Sequence, residues 1–194
     1  MATFVQPTPP VDSGQALPRK KWTRDEVNQL LRSGIFEDQR FELIDGELID
    51  KMGQGPRHAH SIHRLMVLLA QAFGIERILV QAPIEAGSRD QKWSQPEPDV
   101  AVHSVPGEFR TRHPNGNELS IAIEVADTSL RQDLHRKRDM YAHAGVPEYW
   151  VLDIEARRLF VFCNLQGDAY TDSLTLTETD TMPHLNAPVS TLLD

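Results

Sequence analysis

Cysteine is nearly absent: Cys163 is the single one in 194 residues. No internal disulfide can form, and a reducing, cytoplasmic setting is expected. Long apolar runs are missing too. The longest, around Leu65 to Phe73, is interrupted by Gln71, whereas a bilayer span takes about 20 apolar residues. The N-terminus has no basic start leading into an apolar stretch, which argues against a secretory signal. There is no glycine-rich phosphate loop, and Ser120, Ser129 and Cys163 lack the base-and-acid order of acyl-transfer chemistry. Positive charge is scarce: 20 Lys and Arg against 28 Asp and Glu leave a net charge of −8. That balance weighs against a general nucleic-acid coat, which would neutralise many phosphates. The deficit is uneven, however. From Gly167 onward the chain carries Asp168, Asp172, Glu178, Asp180 and Asp194 with no Lys or Arg, while Arg131, Arg136, Lys137 and Arg138 cluster in one short segment.

What is present reads as one ordinary globular domain over 21–194, long enough for a real core. Ahead of it, 1–20 carries Pro7, Pro9, Pro10 and Pro18 without periodicity and is expected to be a flexible leader. Thr23 and Glu26 form a capping box, so a short helix should run to about Arg32. Phe41 to Ile49 reads as a hairpin around Asp45-Gly46. Ile62, Leu65, Met66, Leu69 and Phe73 recur at helical spacing within 58–73, and Gly74 stops that helix. Strand-like runs follow at 78–81, 99–102, 120–125, 149–153, 159–163 and 169–176. Among them lies one more helix, 130–144, stopped by Gly145 and Pro147. This mixture predicts an α/β or α+β domain with a partly antiparallel sheet.

The segment Gln95-Pro96-Glu97-Pro98-Asp99-Val100, then Ile121-Ala122-Ile123-Glu124-Val125, then Lys137 carries the most chemistry. Side chains alternate across a strand, so Asp99 shares a face with Ala101 and Glu124 with Ala122. The opposite faces carry Val100, Val102, Ile121, Ile123 and Val125. Small neighbours leave room beside each carboxylate for an ion, a water or a phosphate; two solvent-facing acids at strand ends would look the same. Lys137 falls inside the apolar stripe Leu130, Leu134, Tyr141, where a lysine needs a partner. Asp133, one turn earlier, would supply an ordinary surface ion pair. The acids Asp99 and Glu124 would instead hold the lysine charged beside a metal. His58, at a helix start, suits a phosphate-side role or a supporting one behind the metal ligands, and Arg131, Arg136 and Arg138 suit phosphate steering or simply a solvated face. Glu42 and Glu47 flank the hairpin turn, where acids are commonly just solvated.

The blocks Phe41-Glu42-Leu43-Ile44-Asp45-Gly46-Glu47, Pro56-Arg57-His58-Ala59, Pro98-Asp99-Val100 and Ile123-Glu124-Val125 occur in an order that resembles the Uma-two family. So does Asp133-x-x-x-Lys137-x-x-x-Tyr141-Ala142-x-x-Gly145-Val146-Pro147-Glu148-Tyr149-Trp150-Val151-Leu152-Asp153, the longest and most specific block. The likeness spans about 22–190. That family is restriction-endonuclease-like, in the PD-(D/E)XK superfamily. The resemblance implies a restriction-endonuclease-like core, a mixed central sheet flanked by helices, and a bound Mg²⁺ or Mn²⁺. It further implies Asp99 and Glu124 as metal ligands, Lys137 as the catalytic lysine, Glu47 as the acid of the first motif, and His58 as the family's histidine. The usual Glu-x-Lys would put lysine at position 126, which is Ala126 here; the resemblance implies that the lysine has moved to the next helix, where Lys137 stands.

The expected activity is Mg²⁺-dependent endonucleolytic hydrolysis of DNA phosphodiesters by a homodimer, since two-fold dimers are the commonest assembly. His58, Arg131 and Arg136 would meet the substrate. Two alternatives stay open: a non-catalytic interaction or dimerisation module that retains the nuclease fold, and a metal-dependent hydrolase of a small phosphodiester.

Overall fold

The computed structural model describes residues 19–36, 39–51, 55–106 and 111–194. The expected leader lies outside the described residues up to position 18. Helix α1 (Arg24–Arg32) opens with the capping box, the Thr23 side chain accepting from the Glu26 N–H and Glu26 accepting from the Thr23 N–H at 2.8 Å. Strands β1 (Phe41–Ile44) and β2 (Glu47–Asp50) form the expected hairpin. Asp45 and Gly46 take φ of 56° and 79°, the left-handed pair that a two-residue turn of this twist demands. Helix α2 (Pro56–Phe73) starts on a proline, whose missing N–H is no loss there, and buries Ile62, Leu65 and Leu69.

Among the described residues, six strands form one sheet: β3 (Ile78–Val80), β4 (Val100–His103), β5 (Leu119–Ala126), β6 (Glu148–Asp153), β7 (Arg158–Gln166) and β8 (Ala169–Thr177), in that spatial order. Neighbours are antiparallel except β5 and β6. A parallel pair requires a crossover, and the helical stretch 130–143 provides it. The mixed sheet flanked by helices is the fold class expected.

Strand alternation sorts the core into two layers. Val100, Val102, Ile121, Ile123, Val125, Trp150 and Leu152 pack under α2 and the C-terminal turn Val189–Leu192. Ala101, Ala122, Ala126, Tyr149 and Val151 face Tyr141 on the crossover helix. The small alanines on that side let the helix approach the sheet closely. Among the described residues, no helix is long and apolar enough to cross a membrane.

The crossover helix departs from expectation. It is not one α-helix but α3 (Leu130–Gln132), a π turn (Asp133–Lys137) and α4 (Arg138–His143). Four residues overshoot one α turn by about 40° and undershoot a π turn. The π turn therefore cancels the drift, and Asp133, Lys137 and Tyr141 fall in one line toward the sheet, all buried. Leu130 and Leu134, expected to lead the stripe, are only partly buried beside it.

Candidate active site

The site lies where β1, the start of β4, the end of β5 and the π turn meet. Lys137 is its centre. The lysine Nζ lies 2.8 Å from Glu42 Oε2, 3.0 Å from Glu124 Oε1 and 3.8 Å from Asp133 Oδ1. All four side chains are at most 6% exposed. Tyr141 Oη donates to Glu124 Oε1 at 2.7 Å, the backbone N–H of Glu97 donates to Glu42 Oε1 at 2.9 Å, and Ser129 Oγ donates to Asp133 Oδ2. Tyr149 Oη holds the Asp133 carbonyl at 3.1 Å, which fixes the π turn against the sheet.

Asp99 sits beside this group and is held from the other layer. Its Oδ2 accepts the Val125 N–H at 2.9 Å and lies 3.4 Å from Nε2 of His58, at the start of α2. Asp99, Glu124, Glu42, Asp133, Lys137 and His58 all line one cleft of about 470 Å³.

The electrostatics follow from an excess of acid. Four buried carboxylates share one lysine and one histidine. Desolvation pulls the Lys137 ammonium down, but Glu124, Glu42 and Asp133 outweigh it and hold the amine well above the ordinary lysine range. Burial pushes Glu124 well above the carboxylate range; Lys137 opposes that, while Asp99, Glu42 and Asp133 add to it. Burial likewise raises Asp133 against the pull of Lys137. Asp99 goes the other way: burial would raise it, yet His58, the Val125 N–H and Lys51 hold it below its ordinary value. His58 loses basicity to burial but gains more from Asp99 and ends up raised. Lys137 is thus firmly protonated, Asp99 firmly ionised, and Glu124 the surplus acid.

The donors suit a hard divalent cation. They are carboxylate oxygens, and Asp133 Oδ1 is a shielded acceptor without a hydrogen-bond partner among the described residues. Among those residues no three acids or histidines are already drawn into a cage; Lys137 holds Glu42 and Glu124 together instead. Magnesium is commonly bound by one or two carboxylates with waters and substrate phosphate completing the shell.

Of the residues expected from sequence, Asp99, Glu124, Lys137 and His58 come together here. Glu47 does not. It is half-exposed and bound to Arg136 at 2.9 Å, with its carboxyl held below the ordinary range by that hydrogen bond. Glu42, on the same strand pair, reaches the site in its place. Alternation could not separate the two, because Glu42 pairs with Ile49 and Ile44 with Glu47, which puts both acids on one face. What separates them is distance from the turn: Glu47 is at the exposed tip and Glu42 lies inward, opposite the 93–97 segment. Arg136 is committed, to Glu47, to Asp45 at 3.5 Å and to the Ile44 carbonyl at 3.3 Å. Arg131 is exposed and has no partner among the described residues. Asp133 is not a surface partner but a buried member of the cluster, and Ala126, in the usual lysine position, is buried against the helix.

No curated protein matches the chain. Among solved structures it is similar to that of "a putative nuclease belonging to DUF820 from Anabaena variabilis ATCC 29413", with a TM-score of 0.59 and 16% identity over 79% of this chain and 89% of that one. At that identity the likeness concerns the fold alone. The model of the Uma2 family, described as "Putative restriction endonuclease", matches residues 24–190, from the first turn of α1 to the last buried turn of the chain. The match takes in every residue of the carboxylate–lysine cluster, and the chain belongs to the Uma2 family of restriction-endonuclease-like proteins.

Proposed function

We propose that this chain is a divalent-metal-dependent endonuclease that hydrolyses phosphodiester bonds of DNA. The observation that carries this reading is the cluster itself: Glu124, Glu42 and Asp133 buried around Lys137, with Asp99 buried beside them, lining one cleft. A group of acids outnumbering its cations is costly to bury, and a bound divalent ion relieves that cost. Asp99 and Glu124 are the residues that would hold the ion. When bound, Mg²⁺ or Mn²⁺ polarises a phosphoryl oxygen and lowers the pKa of a coordinated water.

The protein's own groups have distinct tasks. Asp99 stays ionised through the Val125 N–H and His58, so it is ready as a ligand at neutral pH. Lys137 stays protonated and can donate to a phosphate oxygen, stabilising the negative charge that grows in the transition state. Glu42 anchors the lysine from the hairpin side, and Tyr141 orients Glu124 by donating to one of its oxygens. His58, at the cleft wall, orients Asp99 through Nε2, and its Nδ1 is shielded from solvent.

A two-fold dimer belongs to the same proposal, since it would set one site on each strand of a duplex; light scattering of the purified protein tests it. A cytoplasmic location is carried with it on the single free cysteine. Plasmid cleavage with Mg²⁺ or Mn²⁺ tests the activity. Wild type is expected to nick the plasmid, and Asp99→Asn and Lys137→Ala to lose nicking. Unchanged cleavage in both variants would overturn the assignment.

A further inference from the structure

Beside the catalytic cleft lies a second one of about 530 Å³, lined by Thr128, Ser129, Arg131, Gln132, His135 and Arg136. Thr128, Ser129 and Gln132 line both, so the two clefts adjoin along the start of the crossover helix. Their chemistry differs. The first is floored by carboxylates, whereas the lining of the second contains no acid. Arg136 is neutralised by Glu47 and Asp45, which leaves Arg131 as the unpaired cation of that cleft among the described residues.

Gln132 is the informative residue. The residue is partly exposed and lines both clefts, while its Nε2, turned inward in this arrangement, has no hydrogen-bond partner among the described residues. A shielded donor left unmade costs about 1–3 kcal/mol, and packing alone would favour an apolar side chain of that size. Gln132 is also the immediate neighbour of Asp133, whose carboxylate belongs to the cluster. An amide donor at the junction of the clefts and a free guanidinium just beyond it form the donor set that binds a phosphate oxyanion.

Resting on the nuclease reading above, we propose that the second cleft is a phosphate subsite. Gln132 and Arg131 hold the backbone phosphate next to the one at the carboxylate cluster, and the substrate must therefore be a polynucleotide. A small phosphodiester has a single phosphate and cannot use this subsite. The two residues set substrate length and register, and they do not take part in bond breaking.

The test compares plasmid DNA with bis(p-nitrophenyl) phosphate, both with Mn²⁺, for wild type, Arg131→Ala, Gln132→Leu and Asp99→Asn. For each subsite variant, the ratio of kcat/KM on plasmid to kcat/KM on the small diester is expected to fall about tenfold, carried by KM. Arg131→Ala should also lower the slope of log affinity against log salt by about 1, and Gln132→Leu should not. The Tm of Gln132→Leu should equal or exceed that of wild type, which separates a binding loss from a folding loss. An unchanged substrate ratio in both variants would overturn the subsite while Asp99→Asn still tests the nuclease reading. A wild type that cleaves neither substrate would overturn both.

Discussion

Lys137 Nζ donates to Glu42 across 2.8 Å, joining a π turn to strand β1. The contact ties two parts of the chain 95 residues apart and completes the ring of oxygens around one ammonium. The same ammonium sits 3.0 Å from Glu124. Its structural and chemical roles are therefore inseparable: the group proposed to stabilise the reacting phosphate is also the counter-ion of the buried acids.

Removing it should cost both stability and activity. Lys137→Ala leaves Glu42 and Glu124 buried without their cation, and breaking a buried pair in this way typically costs about 3–5 kcal/mol. Urea unfolding at neutral pH is expected to show a deficit of that order, together with loss of plasmid nicking. The deficit should shrink in acid, because the stranded carboxylates are relieved by protonation. A variant as stable as wild type would mean the ammonium is not buried among them.

The two hairpin acids should behave oppositely. Glu42→Gln weakens the hold on Lys137, and loss of such a supporting partner typically lowers activity roughly 10–100-fold. Glu47→Gln removes one surface contact to Arg136 and should change activity and stability little, since exposed pairs contribute about 0–1 kcal/mol. Cleavage kinetics of the two variants side by side check this. Equal losses would return Glu47 to the site.

His58 should make stability depend on pH. Its folded pKa lies above the ordinary 6.5 because of Asp99, burial opposing. The contribution of the pair is then fully present below 6.5 and is lost as pH rises through the higher folded value. The stability gap between wild type and His58→Gln, measured without divalent ions, should be widest at slightly acidic pH and narrow in mild alkali. A gap that stays constant across this range would contradict the His58–Asp99 pairing.

Much of this arrangement was legible in the sequence because it rests on periodicity. Alternation in the strand-like runs 99–102 and 120–125 put Asp99 and Glu124 beside alanines, and the structure uses the room beside those alanines for the crossover helix and Tyr141. An apolar stripe interrupted by Lys137 marked the lysine as paired. The π turn was not legible, since no local residue pattern announces it. It is imposed by packing Asp133, Lys137 and Tyr141 on one line. Asp133 consequently read as a surface partner of Lys137 although it is 1% exposed. Glu42 and Glu47 share a face of one hairpin, so choosing between them required the tertiary contact to the 93–97 segment. Arg136 likewise read as a phosphate-steering or solvated residue because Asp45 and Glu47, its partners, are far from it in the chain. In each case a local pattern gave the residue type and direction, and a long-range contact decided the role.

The central claim is that the carboxylate cluster takes up a divalent cation through Asp99 and Glu124. Isothermal titration of the protein with Mn²⁺ tests it most directly, on wild type and on Asp99→Asn and Glu124→Gln. Wild type is expected to bind Mn²⁺ saturably at the cluster, and each variant to bind at least about tenfold more weakly. Absence of Mn²⁺ binding by wild type, or equal binding by all three proteins, would contradict it.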